Sequence, residues 1–215
     1  MGEIIVCDQM QPNDTVVASA VSVLRAGGVV VLPTDSVYGI CCAAVAGNPA
    51  HEKIFRIKRR DRSQTLPLFI ADASDLDCIA TDVPDWAHRA AASFWPGALT
   101  LVVRASETLP AEYTQTSEGA APTVAVRVPG SPLVCAIVRA LGSPLAQTSA
   151  NTHGAPSATS GSSLEPAVSN ACDLVLDAGA APLAVASTII DATANQPRVL
   201  REGAITHAEL LAVCG

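Results

Sequence analysis

Four consecutive aliphatic residues, Val29 to Leu32, stand between two glycines and Pro33. A short and wholly apolar run is typical of a strand that is buried on both faces, because a strand with one solvated face alternates apolar and polar residues. Burial on both faces requires other elements to cover the sheet on each side. The run therefore favours an α/β fold in which helices flank a sheet.

Similar runs predict further strands along the chain, at residues 4–7, 66–71, 99–103, 123–128, 145–148, 173–176, 187–191 and 198–201. Amphipathic or capped segments predict helices at 14–26 (capped by Asp14 and closed by Gly27), from Asn48-Pro49 to about residue 58, at 83–94 and at 132–141. Thr206 and Glu209 form a capping box for a short last helix. Strands and helices alternate irregularly and no repeat appears. We therefore expect residues 1–215 to form a single domain with a twisted, mixed parallel and antiparallel sheet.

The charge of the chain argues against nonspecific binding to nucleic acids or anionic membranes. The formal net charge is -7, whereas proteins that bind nucleic acids or anionic membranes nonspecifically are usually basic. Five of the thirteen Lys and Arg residues are concentrated between Arg56 and Arg62, a stretch we call the basic segment. Such a local concentration favours a site for a small anion.

The cysteines indicate a reducing compartment. Their number is seven, they are scattered, and no C-x-x-C pair occurs, so neither a disulfide framework nor a structural zinc site is expected. We find no signal peptide and no apolar run long enough to span a membrane. The sequence therefore predicts a cytoplasmic protein with no membrane partner.

The basic segment contains two cations that suit phosphate groups, Lys58 and Arg60. They are two residues apart, so they would not share a face of a continuing helix. On a helix end that unwinds into a loop, both can converge on one ligand, where Arg offers a planar fork and Lys a compact charge. The alternative is a solvated helix end whose cations are favoured by the helix dipole.

Small polar residues follow two predicted strands. Thr34, Asp35 and Ser36 come after the strand that ends at Pro33, and Ser149 and Asn151 come after the strand 145–148. Ligands commonly bind at the carboxyl ends of sheet strands, where such groups hold position without adding charge. Both segments are also ordinary turn sequences.

Arg127 is a cation within an otherwise apolar strand, and strand alternation puts Thr123 on the same face. A buried guanidinium must be paired, because an unpaired buried charge is costly. The partner is either an acidic side chain or an anionic group of a substrate, and the sequence leaves both open.

Two further observations concern the architecture of any nucleotide site. The common phosphate-binding signatures, G-x-x-x-x-G-K-[ST] and G-x-G-x-x-G, are missing, so a nucleotide would be held by a different arrangement. The polar segment 105–122, rich in small residues, is expected to be a surface loop or a lid.

Taken together, the motifs resemble those of the YrdC/TsaC family, the threonylcarbamoyl-AMP synthases. Five strings occur in family order over residues 27 to about 201: Pro33-Thr34-Asp35-Ser36-Val37-Tyr38-Gly39, Lys58-x-Arg60, Trp95-Pro96-Gly97-Ala98-Leu99-Thr100, Val126-Arg127-Val128-Pro129, and Ser149-Ala150-Asn151 with Gly154. Each string is weak alone, but five in order are specific. The resemblance implies a YrdC-like fold and a nucleotidyltransferase that uses ATP, L-threonine and bicarbonate.

The resemblance also implies roles for individual residues. Lys58 and Arg60 would be the catalytic cations on the phosphates, assisted by Arg62. The ATP-binding set further includes Thr123, Ser149, Asn151, Ser157 and Arg201, and the threonine-binding set is Thr34, Arg127 and Ser187. No protein-built metal site is expected, so Mg²⁺ would arrive on the triphosphate. Implied partners are tRNA or double-stranded RNA and the complex that transfers threonylcarbamoyl to tRNA.

The chain departs from the family pattern at a few positions. Ser36 replaces a usual threonine and keeps the hydroxyl, whereas Asp61 places a carboxylate inside the basic segment. These departures leave open the YciO-type branch of the family, an RNA- or nucleotide-binding protein of the same fold with little synthase activity.

Overall fold

The structure is a computed structural model that describes residues 2–61 and 64–214. The strands are β1 (Glu3–Val6), β2 (Val30–Leu32), β3 (Gly39–Ala43), β4 (Leu68–Phe69), β5 (Ala80–Thr81), β6 (Leu99–Ala105), β7 (Thr123–Arg127), β8 (Leu145–Ser149), β9 (Leu174–Asp177), β10 (Thr188–Asp191) and β11 (Arg198–Arg201). The α-helices are α1 (Asp14–Arg25), α2 (Pro49–Lys58), α3 (Leu76–Ile79), α4 (Asp85–Phe94), α5 (Pro132–Leu141), α6 (Pro166–Ser169) and α7 (His207–Cys214).

All of these strands belong to one mixed sheet with the order β1-β9-β2-β3-β8-β4-β7-β6-β10-β11, and β5 pairs with β6. The pairs β1/β9, β2/β9, β4/β7 and β6/β10 are parallel, and the remaining pairs are antiparallel. The predicted α/β class with a mixed sheet is confirmed.

The sheet is covered on both faces, as the run Val29 to Leu32 predicts. Val29 and Val31 pack into one apolar cluster with α2 and α4, whereas Val30 and Leu32 pack into a second cluster with α1 and α5. All four side chains are at most 1% exposed. Alternation along the strand thus divides a wholly apolar run between two cores. None of the described helices has the length and apolar character needed to cross a bilayer.

The helix ends follow local capping chemistry. Asn48 caps α2 through a hydrogen bond from the Ala50 amide (3.0 Å), and the Thr206–Glu209 capping box closes in both directions. The predicted cap of α1 is wrong by one residue. Asn13 accepts from the Thr15 amide at 2.9 Å, and Asp14 is the first helical residue, where its negative charge favours the helix dipole.

Candidate active site

A cavity of about 260 Å³ opens over the central strands, between the loops that follow β2, α2 and β8. Its cationic groups are Arg60, Arg127 and Arg201. The rest of the lining is mainly hydroxyl, amide and a few apolar side chains, and no Asp or Glu occurs among the described lining residues. Three guanidinium groups without a lining carboxylate favour an anionic ligand.

The end of α2 delivers Arg60 to this cavity. Arg59 takes the left-handed conformation (φ 51°, ψ 41°), and the Arg60 amide donates to the Phe55 carbonyl at 3.1 Å, which ends the helix. The Arg60 guanidinium then donates to Thr148 Oγ1 (3.3 Å) and Gln64 Oε1 (2.6 Å). These contacts hold the guanidinium in place and leave other N–H groups available to a ligand.

Lys58 lies behind the cavity wall. Its side chain is buried, with the residue 3% exposed, and Nζ donates to the Ser149 carbonyl (2.5 Å), the Asn151 carbonyl (2.7 Å) and Asn151 Oδ1 (3.2 Å). An ammonium has three N–H donors, and these three contacts engage all of them. The structure therefore brings the two distant motifs together, with Lys58 bound to the turn that carries Ser149 and Asn151.

Further hydrogen bonds fix this turn. Ser149 Oγ donates to Asn151 Oδ1 at 2.5 Å, and Asn151 Nδ2 donates to the Ala155 carbonyl at 2.6 Å. The Glu165 carboxylate accepts from the amide and the hydroxyl of Thr152, both at 2.8 Å. The turn that forms this part of the cavity wall is thus held by hydrogen bonds of its own polar groups and of Glu165.

The burial of Lys58 has a consequence for stability against pH. Burial, and then the like charge of Arg60, lower the pKa of Lys58 from 10.5 to about 8 against the opposing charge of Glu165. Between these two values the unfolded chain binds more protons at this position than the folded chain. The contribution of Lys58 to the free energy of unfolding is therefore expected to rise with pH from about 8 to 10.5.

Urea unfolding of the wild type and of Lys58→Met across this pH window measures the effect. We expect the free energy of unfolding of the wild type to increase relative to that of the variant as the pH rises. A difference that stays constant over the window would contradict the lowered pKa of Lys58.

Arg127 has an acidic side chain as a partner, which is one of the two possibilities that the sequence left open. Its guanidinium donates to Asp35 Oδ1 (2.5 Å), Ser36 Oγ (2.8 Å) and the Gly97 carbonyl (2.7 Å). Asp35 Oδ1 also accepts from the Gly130 amide at 2.9 Å. The acidic partner is thus Asp35, and two of the five N–H groups of Arg127 remain for a ligand in the cavity that it lines.

The predicted site residues fall into three groups by position. Those that line the cavity are Thr34, Arg60, Arg127, Ser149, Ser157, Ser187 and Arg201. Lys58 and Asn151 support the wall from behind. Arg62 lies outside the described residues.

Thr123 does not occur in the described lining of the cavity, and its contact with the nucleotide stays a prediction. Strand alternation puts Thr123 and Arg127 on one face, and four residue steps along β7 separate them by roughly 13 Å. Thr123 is at the far end of the strand, where it pairs with Arg104 and its hydroxyl donates to the Gln115 carbonyl at 3.5 Å.

The loop 105–122 contributes no residue to the described lining of the cavity. Tyr113 is fully buried, and its hydroxyl contacts the carbonyls of Ala43 (3.3 Å) and Val45 (3.0 Å). Ala43 is at the end of β3 remote from the cavity, since the other end of β3 pairs with Ser149. Tyr113 thus anchors this part of the loop away from the cavity, and a lid role for the loop stays a prediction.

The lining residues that the sequence did not predict as site residues include three polar ones, Gln64, Thr100 and Thr148. Thr148 and Thr100 lie inside motifs that the sequence already singled out, one residue before Ser149 and at the end of the string that begins at Trp95. A hydroxyl on an otherwise apolar strand was the available signal. No sequence signal pointed to Gln64, because its place in the lining depends on the path of the chain after α2.

Comparison with known proteins shows the family to which the chain is similar. A profile of the Sua5/YciO/YrdC family, described as "Telomere recombination", matches residues 22–203. The threonylcarbamoyl-AMP synthase of Bacillus subtilis (strain 168) is 34% identical over 211 residues, which cover 98% of this chain and 60% of that protein.

Two solved structures are similar over nearly the whole chain. The crystal structure of Pyrococcus abyssi Sua5 complexed with L-threonine has a TM-score of 0.90 and 32% identity, covering 99% of this chain and 61% of that chain. The crystal structure of Escherichia coli YciO has a TM-score of 0.84 and 29% identity, covering 94% and 96%. This chain thus spans about six-tenths of the Bacillus and Pyrococcus relatives. The resemblance inferred from the five strings is confirmed, and the chain belongs to the Sua5/YciO/YrdC family.

Proposed function

We propose that the protein is an L-threonylcarbamoyladenylate synthase, a nucleotidyltransferase. It would form threonylcarbamoyl-AMP and pyrophosphate from L-threonine, bicarbonate or CO2, and ATP, for the N6-threonylcarbamoyladenosine modification of tRNA. The observation that carries the proposal is the cavity with three arginines and no carboxylate in its described lining. The names of the similar synthases, and the L-threonine complex of a similar structure, support it.

The chemistry suits such a cavity. The threonine amine adds CO2 to give a carbamate, whose oxygen attacks the α-phosphorus of ATP while pyrophosphate leaves from the opposite side. Every reacting group is anionic, so alignment and charge neutralisation matter more than a protein nucleophile. Arg60 would neutralise charge on the phosphates, and Arg127 would hold the threonine carboxylate with its two remaining N–H groups.

The remaining groups would position the nucleotide. Ser149 and Ser157 present hydroxyls to the cavity, and Arg201 adds a cation at its edge. Lys58 would act through the turn at Asn151 and not by contact with the phosphates. Mg²⁺ would enter as part of the MgATP substrate, because the described residues contain no group of three or more His, Cys, Asp or Glu that could hold a metal ion.

We further propose that the protein works in the cytoplasm and passes its product to the complex that transfers threonylcarbamoyl to tRNA. Direct RNA binding would use the exposed arginines of the basic segment, Arg56 and Arg59. The net charge of -7 argues that such binding would be weak and sensitive to salt.

The function is tested with the purified chain, MgATP, bicarbonate and each of the twenty amino acids singly. We expect pyrophosphate release with threonine alone, together with a product of the mass of threonylcarbamoyl-AMP. Omission of bicarbonate under CO2-free gas is the control. Pyrophosphate release without threonine, or RNA binding with no adenylate at all, would contradict the synthase and favour the YciO-type alternative.

A further inference from the structure

A chain of hydrogen bonds runs along the edge of the cavity from Arg201 through Ser187 to Thr100. Arg201 Nη2 donates to the Ser187 carbonyl (2.7 Å) and lies 3.3 Å from Ser187 Oγ. Ser187 Oγ and Thr100 Oγ1 are 2.9 Å apart. All three residues line the cavity, and Thr100 is 4% exposed.

Backbone packing holds the chain of hydrogen bonds in place. The Thr188 hydroxyl accepts from the amides of Gly203 (2.9 Å) and Ile205 (3.0 Å) and donates to the Ile205 carbonyl (2.6 Å). At Gly203 an added Cβ would lie 2.2 Å from the Ala186 carbonyl oxygen, so only glycine permits this approach. The segment that follows β11 is thus fixed against the segment that carries Ser187.

This chain of hydrogen bonds allows two proton arrangements. A guanidinium can only donate, so Ser187 Oγ is the acceptor in its contact with Arg201. In the arrangement used here, Ser187 donates its own proton to Thr100 Oγ1. Ser187 is the hydrogen-bond partner of the Thr100 hydroxyl within residues 2–61 and 64–214, and Thr100 therefore retains a proton to donate into the cavity.

The cavity that Thr100 lines also has apolar side chains. Ile189 is the register partner of Thr100 on β10, and Phe69 lies two strands away on β4; both side chains line the cavity. The Arg127 guanidinium sits over the Phe69 ring, 5.7 Å from its centre. A hydroxyl donor, apolar side chains and a cation in one cavity match a ligand that carries a hydroxyl, a methyl and a carboxylate.

We propose that Thr100 is a specificity-determining residue that donates a hydrogen bond to the side-chain hydroxyl of threonine, with Ile189 and Phe69 against the methyl group. This inference rests on the proposed function and adds the residue that selects the amino acid. A buried donor left without an acceptor is costly, so such a site rejects an analogue that lacks the hydroxyl.

The test compares kcat/KM for threonine and for 2-aminobutyrate, which is threonine with hydrogen in place of the hydroxyl. We expect the wild type to prefer threonine by about 100-fold or more. Thr100→Val keeps the shape of the side chain and removes its hydroxyl. It should lower kcat/KM for threonine and leave that for 2-aminobutyrate unchanged, so that the preference falls below about 10-fold. The KM for ATP should stay within about 2-fold.

Thr100→Ser is the matched control, because it keeps the hydroxyl and should keep the preference for threonine. The proposal is overturned if Thr100→Val discriminates as strongly as the wild type. It is also overturned if the wild type uses 2-aminobutyrate nearly as well as threonine, a result that does not require the variant to fold. Both outcomes need threonine-dependent activity in the wild type, whose absence would instead contradict the proposed function.

Discussion

Arg60→Ala is expected to slow adenylate formation by about 100-fold or more at saturating substrate, which corresponds to about 2.7 kcal/mol of transition-state stabilisation. Arg60 lines the cavity, and its guanidinium is already oriented by Thr148 and Gln64. A charge held in place before the reaction stabilises developing charge without reorganisation. Single-turnover release of pyrophosphate from labelled ATP measures the step directly.

Arg56→Ala is the control for Arg60→Ala. Arg56 lies in the last turn of the same helix but is exposed and outside the cavity lining, so its removal should change the rate by less than about 2-fold. The rate of Arg60→Lys should lie between the rates of Arg56→Ala and Arg60→Ala, because lysine keeps the charge and loses the planar fork. Near-normal turnover in Arg60→Ala would show that Arg60 takes no part in the reaction.

Asp35→Ala is expected to lower the free energy of unfolding by about 3–5 kcal/mol, the cost of leaving one member of a buried ion pair without its partner. The side chains of Asp35 and Arg127 are 11% and 4% exposed. Asp35 also accepts from the Gly130 amide, which would lose its partner in the variant. Urea unfolding of the variant and the wild type at neutral pH gives the difference.

Arg198→Ala is the matched control, because it breaks an ion pair with Asp191 in which the arginine side chain is 73% exposed. Its effect should be about 1 kcal/mol or less. If Asp35→Ala costs no more than this control, water must reach Arg127 and satisfy it. A variant that folds but has a raised KM for threonine and an unchanged KM for ATP would further place Arg127 beside the amino acid.

Local sequence signals predicted the elements well where the chain itself determines them. Val29 to Leu32, the Asn48-Pro49 start of α2 and the Thr206–Glu209 box depend on neighbours in the chain, and the structure confirms all three. The strand β3 was not placed as an element, because its segment begins with Gly39 and ends with Ala43, two residue types with low strand propensity.

The sequence predicted which residues come together at the site better than it predicted how deeply each one is buried. Sequence order implied that Arg60 and Ser149 meet, and the structure brings them to one cavity. The sequence order could not show that Lys58 lies behind the cavity wall, because that position depends on the left-handed turn at Arg59. Nor could it show that Thr123 lies outside the described lining, because a shared strand face says nothing about distance along the strand.

Arg59, the single left-handed residue between Lys58 and Arg60, fixes how these two side chains are placed relative to each other. One more residue in a helix would rotate the following side chain by about 100° and advance it by about 1.5 Å. An insertion or deletion at this point would therefore separate the buried anchor Lys58 from the cavity-lining cation Arg60, even though both side chains would survive in the sequence.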